Sequence, residues 1–163
     1  MKYTEKEPFY METHLLIHKI LDADSLILKH EFTDEIKEVR LYGIDAPETR
    51  INKKMKADEQ KAHVPAELLK ELGKRSKVFL KQHIAVNDRV TIITENKNAY
   101  DYYHRQLVYV ILKNGVCLNE LLILYGFAKA SRAYYCSNLT KYQHLHRIAQ
   151  MNKKGLYSFI DTF

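Results

Sequence analysis

Short apolar runs separated by polar turns dominate the first third of the chain. Apolar residues cluster over 13–20, return over 25–30, and return again over 36–44. Asp22-Ala-Asp24 lies between the first two runs, and aspartate favours turns because its side chain bonds to nearby backbone N–H groups. Apolar runs joined in this way are typical of an antiparallel meander. We therefore predict three strands over these ranges.

The middle of the chain changes from a polar segment to helical spacing. Residues 49–63 are rich in lysine and poor in apolar residues, which predicts a surface loop. Pro65 is well placed as the first residue of a helix, and the leucines that follow it recur at helical spacing. Apolar and polar residues then alternate over 88–95, which predicts a fourth strand, and a polar loop follows over 95–103.

The last third of the chain contains one further strand and two helices. Residues 105–112 form an apolar run of strand length. A short apolar helix is predicted over 118–125, and a longer helix over 139–153. In the longer helix we expect Leu145 and Ile148 to face inward, with lysine and arginine facing outward.

The order of the predicted elements favours a small barrel. Five strands, with one helix after the third and two near the end, fit a closed β-barrel better than a parallel α/β sheet. The OB-fold is the common five-stranded barrel that handles nucleic acids. We therefore predict an α+β fold, a five-stranded OB-fold barrel with about three helices. The expected division is a lead-in over 1–12, one domain over 13–158 and a C-terminal tail over 159–163.

Composition adds a preference for a polyanionic partner. The 163 residues include 26 Lys and Arg against 20 Asp and Glu, which gives a formal net charge of +6. A moderate basic excess favours nucleic acid, although many unrelated soluble proteins share it. The 12 tyrosines offer flat faces for stacking on bases, and they equally suit the wall of a barrel. We expect Tyr42 and Tyr109 to serve packing.

Other features argue against several classes of protein. Cys117 and Cys136 belong to no Cys-x-x-Cys pair or His-Cys cluster, which argues against a structural zinc site. They could form one disulfide, and the sequence leaves this open. Residues 1–12 lack the apolar core of a signal peptide, and no apolar run reaches membrane-spanning length. We expect a cytoplasmic monomer with free thiols and no membrane partner.

Two aspartates and one backbone carbonyl supply hard oxygen atoms that suit calcium. Asp24 follows the first predicted strand and Asp45 lies after the third. Calcium prefers carboxylate, carbonyl and water oxygens. The Ala46 carbonyl is a further donor, because a residue that precedes proline is held extended and away from a helix. The alternative is that Asp22 and Asp24 only shape a turn and that Asp45 caps a strand.

Two arginines and a glutamate provide groups that phosphodiester hydrolysis needs. Arg40 lies in an otherwise apolar strand and Arg105 opens the fifth strand. A guanidinium fork matches two phosphate oxygens and stays charged. Glu48 follows Asp45 across Pro47, so its carboxylate can orient or deprotonate an attacking water. The alternative for Arg40 is a salt bridge with Asp45 or Glu48.

Three motifs resemble those of the staphylococcal-nuclease (thermonuclease-like) family, and the resemblance spans residues 13–157. Residues 22–25, Asp-Ala-Asp-Ser, are similar to the family's Asp-Gly-Asp-Thr turn. Residues 40–49 resemble its Arg…Asp-x-Pro-Glu-Thr segment, and residues 101–107 resemble its Asp-x-Tyr-Gly-Arg-x-Leu segment. The chain departs from the last motif at His104, where the family often has glycine, and at Tyr102, where lysine can occur. His104 is the histidine that we would test for a role.

The resemblance implies a role for each motif residue. The implied calcium ligands are Asp24, Asp45 and the backbone carbonyl of Ala46. The implied catalytic residues are the phosphate-binding Arg40 and Arg105 and the general base Glu48. The implied substrate-binding residues are Tyr103, Tyr134 and Tyr135.

The sequence therefore predicts a calcium-dependent nuclease that hydrolyses DNA, RNA or both with little sequence preference. By resemblance, the products carry 3′-phosphate ends. One alternative is a non-catalytic OB-fold domain that binds nucleic acid, but the presence of both arginines together with the three acids argues against it. A second alternative is an OB module that binds a protein partner. It is less favoured because no long exposed apolar stretch is evident.

Overall fold

The computed structural model describes residues 8–50 and 53–163. In these ranges the strands are Phe9–Asp22 (β1), Ser25–His30 (β2), Ile36–Leu41 (β3), Ile44–Asp45 (β4), Arg89–Glu95 (β5), Gln106–Leu112 (β6) and Lys129–Ala130 (β7). The α-helices are Lys53–Ala62 (α1), Ala66–Lys81 (α2), Leu118–Leu124 (α3) and Leu139–Met151 (α4). Short 3₁₀ turns occupy Asn96–Asn98, Arg132–Tyr134 and Gly155–Ser158.

Five of the strands close into a barrel in the order β1, β2, β3, β6 and β5. Neighbouring strands are antiparallel except for β3 and β6, which run parallel. Apolar side chains that alternate along the strands fill the interior, among them Leu26, Leu28, Val39, Leu41 and Ile92. The predicted α+β fold with a five-stranded OB-type barrel is confirmed.

The predicted third strand is interrupted at Tyr42 and Gly43. Gly43 has φ +70, a conformation that glycine adopts at little cost. A Cβ atom at this position would lie 2.7 Å from the ring of Tyr142. The break lets β4 leave the barrel and pair with β7, where Asp45 lies opposite Lys129. It therefore directs Asp45 away from the barrel wall.

The expected loop over 49–63 is wrong for most of its length, because α1 occupies Lys53–Ala62. Residues 51 and 52 of that segment lie outside the described residues. Straight-chain residues and alanine dominate α1, and these favour helix even without a clear apolar stripe. Met55 is 1% exposed and belongs to a second hydrophobic cluster with Leu72 of α2. The buried side chain of Met55 thus anchors α1, a helix that the polar sequence pattern does not indicate.

The two ends of the described chain are integrated into the domain. β1 begins at Phe9, so residues 9–12 of the expected lead-in pair with β5. Residues 1–7 lie outside the described residues. At the other end, Phe163 is buried in the second hydrophobic cluster, and its carbonyl accepts a hydrogen bond from Lys129 Nζ at 2.8 Å.

Helix α4 is rotated relative to the predicted orientation. Tyr142 and Ala149 are buried and Leu145 is half-buried, whereas Ile148 is 37% exposed. The inward position expected for Ile148 is therefore wrong. The large Tyr142 ring decides the orientation, because it packs into the space left by the missing side chain of Gly43.

Tyr42 and Tyr109 are buried, as the packing assignment predicted. Cys117 and Cys136 are both free thiols. Within residues 8–50 and 53–163, no helix combines the length and the apolar character needed to cross a membrane.

Candidate active site

The turn between β1 and β2 is tied to the segment that follows β4. Asp24 is 3% exposed, and its Oδ2 accepts a hydrogen bond from the backbone N–H of Ala46 at 2.7 Å. Asp22 Oδ1 accepts from the backbone N–H and the hydroxyl of Thr49, at 3.2 and 2.6 Å. These bonds hold two acid-bearing segments together at one end of the barrel.

Arg40 is a buried arginine that joins the same segments. Its Nη1 donates to the carbonyl oxygens of Asp24, Leu41 and Ile44 at 3.3, 3.2 and 3.1 Å. Its Nη2 lies 3.0 Å from Asp24 Oδ2 and 3.2 Å from Asp45 Oδ1. The salt bridge considered as an alternative for Arg40 is therefore present with Asp45, and a second one joins Asp24.

A tyrosine ring lies against this buried guanidinium. The ring centroid of Tyr134 lies 3.7 Å from Arg40 Cζ, a distance typical of a cation–π contact. Tyr135, the neighbouring candidate, is 59% exposed, and its carbonyl accepts a hydrogen bond from Asn98 Nδ2 at 2.6 Å. Of these two tyrosines, the structure places Tyr134 in contact with Arg40.

The second arginine is held by an aspartate on the loop before β6. Arg105 Nε donates to Asp101 Oδ2 at 2.8 Å, and Arg105 Nη1 lies 3.6 Å from Glu38 Oε1. Asp101 Oδ1 also accepts the backbone N–H groups of Tyr103 and Arg105, at 2.9 and 2.8 Å. Burial lowers the pKa of the Arg105 guanidinium, but the hydrogen bond and charge of Asp101 outweigh it and raise that pKa overall. Arg105 is thus oriented and fully charged.

His104 adopts a backbone conformation that favours glycine. Its φ is +61, in the left-handed region, which glycine reaches with less strain than histidine. Its backbone N–H donates to the Asp101 carbonyl at 3.0 Å, and its side chain is exposed. In this structure His104 shapes the loop.

A single cavity of about 410 Å³ brings most of these side chains together. The described residues that line it are Asp22, Asp24, Ser25, Glu38, Arg40, Glu48, Tyr103, Arg105 and Tyr134. Asp45 and Ala46 adjoin this group through their bonds to Arg40 and Asp24. Tyr135 and His104 do not appear among the described lining residues. Residues drawn from three distant sequence motifs thus converge at one mouth of the barrel.

The sequence model of one protein family, described as Staphylococcal nuclease homologue, matches residues 38–159. This chain belongs to the staphylococcal nuclease homologue family. The family resemblance inferred from the three motifs is therefore confirmed. The matched range contains Arg40, Asp45, Glu48 and Arg105, and it begins after Asp24.

A curated relative of this staphylococcal nuclease homologue is the endonuclease YhcR of Bacillus subtilis (strain 168). The two sequences are 27% identical over 146 residues, which is 88% of this chain and 11% of the relative. The chain therefore spans a small part of the length of that protein. The similarity to this part of the relative supports a shared domain.

The donor atoms of this family member suit a hard cation. Asp24 and Asp45 place one carboxylate oxygen each beside the same Arg40 nitrogen, so both already converge on a positive group. Among the described residues, no three His, Cys, Asp or Glu side chains are grouped as a metal site. A calcium ion would therefore need the Ala46 carbonyl and water besides these two carboxylates, which its flexible oxygen coordination permits. The residue types fit calcium.

Asp101 and Glu38 are residues of the site to which the sequence assigned no role. Asp101 orients Arg105, and its signal was an acid placed four residues before an arginine in the same motif. Glu38 lines the cavity and approaches Arg105. Glu38 and Arg40 are two positions apart on β3 and therefore share one side of the strand, a pattern that could have indicated Glu38.

Proposed function

We propose that this chain is a calcium-dependent nuclease that hydrolyses phosphodiester bonds of DNA, RNA or both with little sequence preference. The main support is that Arg40, Arg105 and Glu48 line one cavity. The buried aspartates Asp24 and Asp45 lie beside them, paired with Arg40. Membership of the staphylococcal nuclease homologue family supports the proposal, as does similarity to a named endonuclease.

The two arginines supply fixed positive charge for a phosphate. Arg105 Nε donates to Asp101, and Arg105 Nη1 makes a longer contact of 3.6 Å with Glu38 Oε1. Its remaining guanidinium N–H groups can therefore face the cavity. Hydrogen-bond donors that are oriented before the reaction stabilise charge on the phosphoryl oxygens of the transition state without reorganisation. The Arg105 side chain is well suited to this role.

Glu48 is the general base for the attacking water. It is half-buried and lines the same cavity as both arginines. Its carboxylate accepts a proton from the water as the water oxygen attacks phosphorus. The bond from phosphorus to the 5′-oxygen then breaks, and the 5′-oxygen takes up a proton from solvent. The products are a 3′-phosphate and a free 5′-hydroxyl, as the family resemblance implies.

Calcium would be held by Asp24, Asp45 and the carbonyl of Ala46. When bound, it would supply positive charge that neutralises a phosphate oxygen and makes phosphorus a better electrophile. Asp24 is prepared for such a role by the N–H of Ala46, which fixes Oδ2 in place. Asp45 is positioned by the pairing of β4 with β7.

One observation favours a second candidate function, a non-catalytic domain that binds nucleic acid. Arg40 pairs with both aspartates, which gives the acids a structural partner that requires no metal. The cavity would then attract phosphates through Arg105 without cleaving them.

Metal dependence and end-group analysis separate the two functions. Purified protein is incubated with single-stranded DNA and with RNA in calcium, in magnesium or with a chelator, and the ends of the products are mapped. The nuclease proposal expects calcium-dependent fragments with 3′-phosphate ends that disappear with chelator. Tight, salt-sensitive association without fragments at any calcium concentration would establish the binding domain instead.

A further inference from the structure

A second cavity of about 290 Å³ adjoins the candidate active site. Asp22 and Glu48 line both cavities, whereas Arg105 is a lining residue of the first cavity and not of the second. The cationic residues that line the second cavity are Lys19, Arg50 and Lys77. They come from β1, from the segment after β4 and from α2. We call this region the basic cleft.

Lys77 is the least exposed of the three cations that line the basic cleft. Burial lowers the pKa of its ammonium group, and the nearby charges of Lys81, Arg50 and Lys19 lower it further, against the opposing effect of Asp22. Lys77 is half-buried. Like charges that line one cavity repel one another and raise the free energy of the unliganded protein, and a bound anion would reduce that repulsion.

The three cations that line the basic cleft outnumber its two acids, Asp22 and Glu48. Asp22 Oδ1 is engaged by the backbone N–H and hydroxyl of Thr49. Glu48 lines both cavities, and we assign it to the attacking water. The ion pairs found among the described residues contain neither Lys77 nor Lys19.

We propose that the basic cleft is a subsite for the backbone phosphate of a polynucleotide next to the bond that is cleaved. This inference rests on the proposed nuclease function, because it requires the substrate strand to run past Glu48 from the candidate active site into the basic cleft. Lysines act as point charges and contact phosphate without reading a base. The subsite therefore adds affinity for long substrates and leaves sequence preference low.

Substitution of Lys77 tests the subsite. The Lys77→Ala variant is assayed on a long single-stranded oligonucleotide and on a dinucleotide that carries one phosphodiester. We expect KM for the oligonucleotide to rise, kcat to stay unchanged, and the dinucleotide to be cleaved as by the unmodified protein. The plot of the logarithm of the association constant K against the logarithm of salt concentration has a negative slope, and this slope should become less steep by about one. Lys77→Gln, which keeps a polar side chain of similar length, should behave in the same way.

Lys74→Ala is the matched control. Lys74 lies on the same helix, is exposed, and lines a different cavity with Glu71 and Phe159. It should leave KM and the salt slope unchanged. Equal effects of Lys74→Ala and Lys77→Ala, or an unchanged salt slope in Lys77→Ala, would overturn the subsite.

Binding measured without calcium keeps this test separate from the test of the nuclease. Fluorescence anisotropy of a labelled oligonucleotide gives the salt slope even if no cleavage occurs. A less steep salt dependence of binding in Lys77→Ala, without any cleavage by the unmodified protein, would support the subsite and refute the proposed catalysis. Melting temperatures of the variants establish that each is folded, and removal of a repelled charge should not lower them.

Discussion

Asp24 and Arg40 form a buried ion pair, with Arg40 Nη2 3.0 Å from Asp24 Oδ2. The same carboxylate oxygen accepts the N–H of Ala46. This pair thus joins the β1–β2 turn to β3 and to the segment after β4. Charges removed from water need such partners, because an unpaired buried charge is far costlier than the pair. The pair therefore organises the candidate site.

Removal of Arg40 should destabilise the fold strongly. Arg40→Ala leaves Asp24 and Asp45 without their shared guanidinium, and loss of one partner of a buried ion pair costs about 3–5 kcal/mol. Urea unfolding without calcium measures this change in the free energy of unfolding. Arg89→Ala, which removes an exposed arginine paired with Glu31, should cost less than about 1 kcal/mol. Equal small losses in both variants would show that the Arg40 network is not structural.

Asp101 should act as a positioning residue for Arg105. Asp101→Asn keeps an oxygen for the backbone N–H groups and loses the charged acceptor for Arg105 Nε. A shift of a catalytic group by about 1 Å can lower the rate by about a hundredfold, so we expect kcat to fall by about tenfold to a hundredfold. Steady-state kinetics should show this loss in kcat at nearly constant KM and melting temperature. An unchanged kcat would mean that Arg105 needs no such support.

Calcium should stabilise the folded protein through Asp45. A ligand that binds only the folded state adds about 2.7 kcal/mol when its concentration is a hundredfold above Kd. We expect calcium to raise the melting temperature of the unmodified protein, and Asp45→Asn to abolish this rise. Calorimetric titration provides a second measurement of binding. If Asp45→Asn keeps the full calcium response, the proposed ligand set is wrong.

His146 should make stability depend on pH. Its Nδ1 accepts the Ala130 N–H at 3.0 Å and its Nε2 lies 3.3 Å from the Tyr157 hydroxyl. Burial, with the charges of Lys129 and Arg147, lowers the pKa of the imidazole. The unfolded chain therefore gains a proton at a higher pH than the folded protein, near pH 6.5. Stability should fall as pH decreases below about 6.5, and the decline should end below the lowered pKa of the folded state.

The variant His146→Asn checks this pH dependence. Asparagine keeps an oxygen that can accept the Ala130 N–H and has no titratable group. Unfolding free energies are compared between about pH 7.5 and about pH 5.5, on either side of the ordinary histidine pKa. The decrease should be smaller in His146→Asn than in the unmodified protein. His144→Asn, at an exposed position on the same helix, should retain the full decrease.

The barrel and the central residues of the candidate site could be predicted because they follow local rules. The strand runs are short and bounded by turn residues, and the arginines and acids lie in compact motifs. Arg40 was recognisable as a charge in an apolar strand, and the structure shows it buried among carboxylates. Local pattern and family resemblance pointed to the same residues.

The features that escaped prediction depend on contacts between distant segments. Helix α1 has little periodicity and is fixed by Met55, whose neighbour Leu72 is on another helix. The break at Gly43 is decided by the Tyr142 ring, far along the chain. The basic cleft combines cations from β1, α2 and the segment after β4, so no single stretch of sequence contains it.

The rate of single-stranded DNA cleavage in calcium tests the central claim most directly. The claim is that Glu48 and Arg105 act at one hydrolytic centre. Glu48→Gln and Arg105→Ala are compared with Arg75→Ala, an exposed arginine that pairs with Glu71 on α2. We predict that both site variants lose about a hundredfold or more in rate while remaining folded, and that Arg75→Ala keeps full activity. Cleavage at the unmodified rate by both site variants would contradict the account.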